Sequence, residues 1–302
     1  MAQQSKIAIF CGKGGVGKTT LSLAMGLRHA AAGRKVVVVS SHPLPELALS
    51  VSLDGLGARS PEAVQNLFVV HIDARELLAE VVQNNFPVEW MVKAVLNSSI
   101  YRNLIEVAPG LKEFYFLARL QALAERQDHG EADFEYLFWD APATGHFLST
   151  LDSARNFETF LTGPLAAAGA ELTRFLSHAS GIALLPTLTL EEMAMEETVE
   201  MCHKLAARHG MTARAAIANL VSPLATAGDA GVEAVRAALA ERGDDPVLSF
   251  AFRRGLLERG RRELLAQTLG APVVAVERVR HATDDVDLLF QIAGALESLP
   301  AL

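Results

Sequence analysis

The sequence predicts an α/β fold built on a mostly parallel, doubly wound sheet, with an inserted helical subdomain. Strand-like and helix-like patterns alternate along nearly all of the 302 residues, which is typical of a parallel sheet covered by helices on both faces. A glycine-rich loop joins the first strand to the first helix, as phosphate-binding loops do. About sixty residues between Asp73 and Asp133 lack a convincing strand and indicate the helical insertion.

Seven apolar runs are the expected strands. Most are continuous rather than alternating, as strands buried on both faces of a parallel sheet are. In chain order they are Lys6–Cys11, Lys35–Ser41, Leu67–Ile72, Phe134–Asp140, Gly181–Leu185, Ala215–Val221 and Pro272–Val276.

Helical patterns separate these strands. Outside the insertion they cover Thr19–Ala32, Leu190–His209, Val232–Arg242, Glu258–Thr268 and Asp284–Leu299. Inside it we expect helices near Ala74–Asn85, Val88–Asn103 and Leu111–Gln127, with a further helical piece near Asp152–His178. Segments 163–170 and 225–231, rich in alanine and glycine, are expected to be loops. Residues 1–302 then form one phosphate-loop domain, whose helical subdomain occupies about 74–130 and 152–178.

The glycine-rich loop spans residues 11–20, with the sequence Cys-Gly-Lys-Gly-Gly-Val-Gly-Lys-Thr-Thr. Its backbone N–H groups and the following helix N-terminus are suited to phosphate oxygens, and Lys18 supplies positive charge. The Thr19 hydroxyl can bind Mg²⁺. The expected nucleotide-binding residues of this loop are Gly12, Gly14, Gly15, Val16, Gly17, Lys18, Thr19 and Thr20.

Charge, hydropathy and cysteine content argue against several classes of function. The net charge of −8 argues against a nucleic-acid partner, and the arginines between 253 and 262 are expected on a solvated helix face or in ion pairs. No apolar run is long enough for a membrane span and no signal peptide is evident, so we expect a cytoplasmic protein. Cys11 and Cys202 lie far apart, outside any Cys-x-x-Cys pair, which argues against a structural zinc site within one chain.

The lysine directly after the opening glycine is the most informative residue of the loop. With Lys13, the stretch Lys13–Thr20 resembles the deviant Walker A class of phosphate-loop ATPases residue for residue. In that class this lysine reaches the nucleotide of the facing subunit, so the resemblance implies a nucleotide-sandwich dimer. A cation held against transferring phosphate would stabilise developing charge.

The segment at the end of the fourth strand narrows the resemblance to a single family within this class. Asp140 fits the acidic residue that holds Mg²⁺ through water in phosphate-loop NTPases. The segment Asp140–His146 (Asp-Ala-Pro-Ala-Thr-Gly-His) resembles switch II of the arsenite-pump and tail-anchored-protein-targeting ATPase family. In that family the segment senses the γ-phosphate and signals to the helical subdomain. The resemblance therefore implies that Gly145 responds to the nucleotide.

The resemblance extends along most of the chain. The pattern of Thr189–Glu192 with Glu197 and Thr198 is similar to the family's helix after the fifth strand. Asn219 matches the asparagine that recognises adenine, and an amide offers both a donor and an acceptor to a purine edge. The loop around Glu277 and Arg278 corresponds to the other side of the base pocket.

The chain departs from the family in two places. The family's switch I aspartate, which positions the attacking water, is absent from Ser40–Glu46, where His42 and Glu46 are the candidate replacements. We therefore expect slow or partner-dependent hydrolysis. The zinc-binding Cys-x-x-Cys that joins subunits in eukaryotic members is also absent, as are obvious arsenite-binding cysteines.

The resemblance implies a dimeric ATP- and Mg²⁺-dependent switch, formed with itself or with a paralogue, that couples nucleotide state to a protein client or membrane complex. Its candidate catalytic residues are Lys13, Lys18, His42 and Asp140, and its candidate metal ligands are Thr19 and Asp140. Two alternatives remain, a ParA/MinD-like spatial or motility organiser and a low-turnover nucleotide clamp. The organiser is less favoured because Leu288–Leu302 lacks lysine and arginine. A nitrogenase-reductase-like role is excluded by the lack of cluster cysteines.

Overall fold

The computed structural model describes residues 6–42, 66–72, 110–125, 134–160, 162–177, 181–242 and 245–300. Seven strands in these ranges pair in parallel, in the spatial order β3-β2-β4-β1-β5-β6-β7. All seven expected strands are confirmed. Their bounds are β1 Lys6–Gly12, β2 Val36–Ser40, β3 Leu67–His71, β4 Tyr136–Ala143, β5 Ile182–Leu188, β6 Ala216–Val221 and β7 Val273–Glu277.

Helices connect the strands. The described ones are α1 Lys18–Ala31, α2 Leu111–Ala124, α3 Thr144–Phe160, α4 Pro164–Ser177, α5 Glu192–His209, α6 Pro223–Thr226, α7 Asp229–Arg242, α8 Pro246–Leu269 and α9 Asp285–Ala295, after which Leu296–Ser298 forms a 3₁₀ turn. The helices expected at 74–85 and 88–103 lie outside the described residues. The helical subdomain stays a prediction, although α2, α3 and α4 pack against one another. No described helix has the length and apolar character needed to cross a bilayer.

Two expected loops and the start of one expected helix were wrong. Segment 163–170 is not a loop but mostly the first half of α4, and 225–231 mostly belongs to α6 and α7. The expected helix at 258–268 is longer, because α8 already begins at Pro246. The Asp245 carboxylate caps α8 by accepting hydrogen bonds from the backbone N–H groups of Val247 and Leu248, and proline suits the first helical position.

The sheet is covered on both faces, which confirms the doubly wound arrangement. Alternate residues of β1 point in opposite directions, as the period of a strand requires. Ala8 and Phe10 pack with α1 and α9, whereas Ile7 and Ile9 pack with α2, α3, α4 and α5. β1 lies at the centre, between β4 and β5, so its carboxyl end opens at the point where open α/β sheets bind ligands.

Candidate functional site

The loop after β1 follows a path that only glycine can take at two positions. Gly12 has φ +144°, and a Cβ there would lie 2.1 Å from the carbonyl oxygen of Thr187 on β5. Gly17 has φ +91°, and a Cβ there would lie 2.4 Å from Nδ2 of Asn219. The neighbouring strands therefore hold the loop in a tight turn at the start of α1, where N–H groups are free to face an anion.

Lys18 is buried beneath this loop. Its Nζ donates hydrogen bonds to the carbonyl oxygens of Gly12, at 3.0 Å, and Lys13, at 2.9 Å. Burial lowers the pKa of Lys18, and the nearby charge of Asp140 opposes that shift. Because both hydrogen-bond acceptors are neutral, the ammonium group remains able to pair with an anionic ligand in the loop.

Three oxygen-bearing side chains meet beside Lys18. The Thr19 hydroxyl donates to Oδ2 of Asp140 at 2.6 Å, and the Ser40 hydroxyl lies 3.5 Å from the same oxygen. The sheet register brings them together, since Asp140 pairs with Phe10 of β1 and with Ser40 of β2. Burial raises the pKa of Asp140, while Thr19, Lys18 and other neighbours act against it.

These side chains fit a magnesium site of the phosphate-loop kind. Mg²⁺ prefers oxygen ligands and is usually held by one or two protein groups together with substrate phosphates and water. The hydroxyl of Thr19 and the carboxylate of Asp140 supply such ligands in direct contact with each other. A cage of three or more His, Cys, Asp or Glu side chains is not found within the described ranges, and this kind of site does not need one.

The side chain of Lys13 contacts α5. Its Nζ makes an ion pair with Oε1 of Glu197 on α5 at 2.8 Å, and both side chains are partly exposed. This partner was not expected, because 184 residues separate the pair in sequence. The expected reach of Lys13 towards the nucleotide of a second subunit stays a prediction.

Asn219, near the end of β6, makes a hydrogen bond to the loop after β1. Its Nδ2 donates to the carbonyl oxygen of Val16 at 2.8 Å. The next residue, Leu220, has φ +59°, which makes it the only non-glycine residue with positive φ in the described part of the chain. The pairing of β6 with β7 also shifts between Asn219 and Val221. The amide nitrogen is thus used to hold the loop, which leaves the amide oxygen for a ligand.

A cavity of about 650 Å³ lies beside the loop, a size typical of small-molecule sites. It brings together six sequence-predicted site residues, which are Lys13, Gly14, Gly15, Val16, Asn219 and Arg278. The part of its wall that α8 supplies was missed. That wall includes Phe250, Arg254, Leu257, Glu258 and Arg261. The Asp245-Pro246 pair at the start of α8 is the signal that could have found it.

Two of the α8 arginines, Arg254 and Arg261, line this wall and form ion pairs, as expected for part of this cluster. Arg254 Nε lies 3.0 Å from Oε1 of Glu258, and the other Glu258 oxygen accepts the N–H of Ser222 at 2.7 Å. Burial acts to raise the pKa of Glu258, but the hydrogen bonds from Ser222 and Arg254 outweigh it and lower the pKa. Arg261 donates to the carbonyl oxygen of Leu190 at 2.9 Å and so fixes α8 against the start of α5.

The described residues of the two expected switch segments follow β2 and β4. His42 is exposed, its N–H donates to Ser40, and its Nδ1 lies 3.2 Å from the Ser41 hydroxyl. Glu46 lies outside the described residues. β4 continues through Ala143 and α3 begins at Thr144, so Gly145 stands in the first turn of α3 with open space around it.

Comparisons with known proteins agree with this geometry. Residues 5–211 match the profile of a protein family described as anion-transporting ATPase. This range contains β1 to α5, and therefore the loop, Asp140 and Glu197, but not Asn219 or α8.

The individual relatives have low sequence identity to this chain. "Putative arsenical pump-driving ATPase 2" of Aquifex aeolicus is 30% identical over 164 residues, covering 52% of this chain and 52% of the relative. "ATPase BagA" of Mycobacterium tuberculosis is 25% identical over 214 residues, covering 67% and 61%. A similarly named pump-driving protein of Prosthecochloris vibrioformis is 26% identical over 174 residues, covering 53% and 41%. The chain thus spans about half the length of these relatives.

Proposed function

The chain belongs to the anion-transporting ATPase family, and we propose that it binds Mg·ATP at the loop after β1 and hydrolyses it. One observation carries this proposal. The buried ammonium of Lys18, the hydroxyl of Thr19 and the carboxylate of Asp140 converge beside a loop in which Gly12 and Gly17 leave no room for a Cβ. A helix N-terminus, a lysine and a magnesium-binding pair are what a triphosphate requires.

Each residue has a defined part in this proposal. The loop amides from Gly14 to Thr20 bind phosphate oxygens, and Lys18 exchanges its carbonyl partners for phosphate. Thr19 and Asp140 hold the metal ion, which when bound neutralises charge on the phosphate oxygens. The Asn219 oxygen and Arg278 face the base and sugar from the 650 Å³ cavity.

We further propose that hydrolysis drives a dimeric switch in the cytoplasm. In the dimer Lys13 leaves Glu197 and contacts the nucleotide of the partner, where it stabilises negative charge that develops during phosphoryl transfer. Gly145, in open space where β4 passes into α3, transmits the loss of the terminal phosphate to the helices and to a bound client or membrane complex.

We propose no metalloid substrate for this chain, although some relatives are named arsenical pump-driving ATPases. Both cysteines are buried, and burial raises the pKa of Cys202 to about 12. Arsenite binds thiol groups that a ligand can reach, and both thiol groups of this chain are buried. We therefore propose a nucleotide site and no metalloid site.

Nucleotide titration tests the proposed site. Calorimetry with ATP and Mg²⁺ should give saturable binding to the wild-type protein, and Lys18→Ala should weaken it by at least about tenfold through loss of a charge-assisted contact. Asp140→Asn should reduce the dependence of binding on Mg²⁺. Lys204→Ala removes an exposed lysine of α5 and serves as the control. Absence of ATP binding by the wild-type protein would refute the proposal.

A low-turnover nucleotide clamp is the second candidate. His42 stands where the family has a carboxylate to position water, and its N–H and ring contacts are to Ser40 and Ser41 only, in the part of the chain that is described. Tight ATP binding with very slow phosphate release would favour the clamp over the switch.

A further inference from the structure

We propose that Arg254 and Glu258 of α8 bind the vicinal 2′- and 3′-hydroxyls of the nucleotide ribose, an assignment that rests on the nucleotide site proposed above. Helix α8 lies outside residues 5–211, which the family profile matches. The helix face that lines the cavity, the fixed geometry of the pair and its balance of charge each support the assignment.

One face of α8 lines the cavity beside the phosphate loop. Its cavity-lining residues are Phe250, Arg254, Leu257, Glu258 and Arg261. Their spacing of four, three, one and three residues keeps them on one side of the helix. Gly14 and Gly15 of the loop line the same cavity. A nucleotide whose phosphates lie in the loop therefore also meets this side of α8.

The carboxylate of Glu258 holds Arg254 in a fixed position on this face. Its Oε1 lies 3.0 Å from Nε of Arg254, and its Oε2 accepts the N–H of Ser222 at 2.7 Å. The Glu258 side chain is only 9% exposed, so these hydrogen bonds fix a nearly buried group. Because Ser222 directly follows β6, the pair is anchored to the strand that carries Asn219.

The pair keeps hydrogen-bonding capacity for a ligand. Only Nε of the Arg254 guanidinium is used within the described ranges, so the N–H groups of Nη1 and Nη2 are available. The Arg254 side chain is 52% exposed, which leaves these groups accessible. A carboxylate has about four acceptor sites, more than Ser222 N–H and Arg254 Nε occupy on Glu258. Donors and acceptors therefore stand side by side on the cavity wall.

The charge balance of the pair favours a neutral ligand group. Burial opposes ionisation of Glu258, but the hydrogen bonds from Ser222 and Arg254 outweigh it and lower the pKa, so the carboxylate is charged at neutral pH. A phosphate beside Arg254 would face this carboxylate, and like charges repel. A ribose hydroxyl is neutral and both donates and accepts, so a vicinal diol matches the donors of Arg254 and the acceptors of Glu258.

The ribose is the part of ATP that carries neutral hydroxyl groups. Lys18 and the loop N–H groups are suited to the phosphates, and the amide oxygen of Asn219 is left for the base. Asn219 and Arg254 line the same cavity. The sugar of a nucleotide bound in this way therefore lies within reach of α8.

Calorimetry with ATP and with 2′,3′-dideoxy-ATP, each with Mg²⁺, tests the diol site. The wild-type protein should bind ATP at least about tenfold more tightly, because the dideoxy nucleotide lacks the hydroxyls that bond to charged groups. Arg254→Met keeps an apolar stem without N–H groups and should bind both nucleotides with nearly equal affinity. Arg253→Met, at the neighbouring exposed arginine outside the cavity lining, is the matched control and should discriminate like the wild-type protein.

Glu258→Gln tests the acceptor half of the site and should reduce the preference for ATP severalfold. Arg254→Met decides the question alone if Glu258→Gln does not fold. The assignment is overturned if the wild-type protein binds the two nucleotides equally, or if Arg254→Met weakens both to the same extent and keeps the preference, as loss of a phosphate contact would. A wild-type protein that binds neither nucleotide refutes the proposed function itself, and the two failures are thereby distinguished.

Discussion

At the scale of single residues, the two lysines of the phosphate loop are held in different ways. Lys18 is buried on backbone carbonyl groups, whereas Lys13 lies in a partly exposed ion pair with Glu197. Exposed ion pairs contribute about 0–1 kcal/mol, so Lys13 can leave Glu197 at little cost. This is the behaviour expected of a residue that contacts another subunit only in one nucleotide state.

The substitution Glu197→Gln should release Lys13. Loss of the ion pair favours the form in which the lysine faces outward, so ATP-dependent dimerisation or turnover should increase by up to about fivefold at low salt and less at high salt. Glu200→Gln is the matched control, because Glu200 pairs with Lys204 instead. Turnover that falls to the level of Lys13→Ala would show that Glu197 is required for catalysis and does not restrain Lys13.

We expect His42 to limit the rate of the proposed hydrolysis. It is exposed at the end of β2, where the family has a carboxylate that positions water. We expect His42→Asp to raise steady-state phosphate release by about tenfold or more with little change in ATP affinity, since general-base contributions are typically 10²–10⁴-fold. His42→Asn has the shape of the aspartate variant without its charge and should remain slow. A fast wild-type enzyme that His42→Asp does not accelerate would contradict this interpretation.

At the scale of elements, glycine has different roles in α4 and α8. Gly169 of α4 lies against α3, and a Cβ there would be 2.5 Å from the backbone nitrogen of Glu158. A glycine that looks like a sign of flexibility in the sequence is therefore required for close packing of two helices. Gly260 of α8 has nothing within 4 Å of its Cβ position, so only helix propensity acts on it.

Alanine substitutions should separate these roles. Gly169→Ala should lower the free energy of unfolding by about 1–3 kcal/mol, because the clash is with backbone atoms and α3 must move. Gly260→Ala should raise it by roughly 0.5–1 kcal/mol. Urea unfolding of the nucleotide-free protein measures both values. Equal effects of the two substitutions would mean that the contact of α3 with α4 does not depend on Gly169.

At the scale of the whole molecule, the sheet and the phosphate loop were predictable, and the helices around the cavity were not. Buried parallel strands are continuous apolar runs, and the loop has a local glycine and lysine pattern, so both can be recognised in short windows of sequence. The start of α8 was missed because its exposed side carries both apolar and arginine residues, which obscures the helical periodicity. The contact of Lys13 with Glu197 joins residues 184 positions apart and has no local signal.

The stability of the whole domain should depend on the partly buried histidine of α1, His29. The ring of His29 packs at a tilt against Tyr136 and Phe138, with ring centroids 4.2 Å and 5.5 Å away. Burial, together with the nearby positive charges, lowers the pKa of His29 to about 4. In the unfolded chain the histidine pKa is near 6.5, so on acidification the unfolded chain binds the proton at a higher pH than the folded chain does. The contribution of His29 to stability is therefore present above about pH 6.5 and is lost as the pH falls towards 4.

Replacing His29 with Gln should therefore flatten the acid side of the stability curve. Allowing for its partial exposure, the loss of unfolding free energy between pH 7.5 and pH 4.5 should be about 1–2 kcal/mol smaller in His29→Gln than in the wild-type protein. Packing lost with the ring is the same at both pH values and cancels in this difference. His203→Gln, at an exposed position of α5, should follow the wild-type curve. Parallel curves for His29→Gln and the wild-type protein would show that His29 titrates alike in the folded and unfolded chains, and the acid loss would then arise from carboxylates.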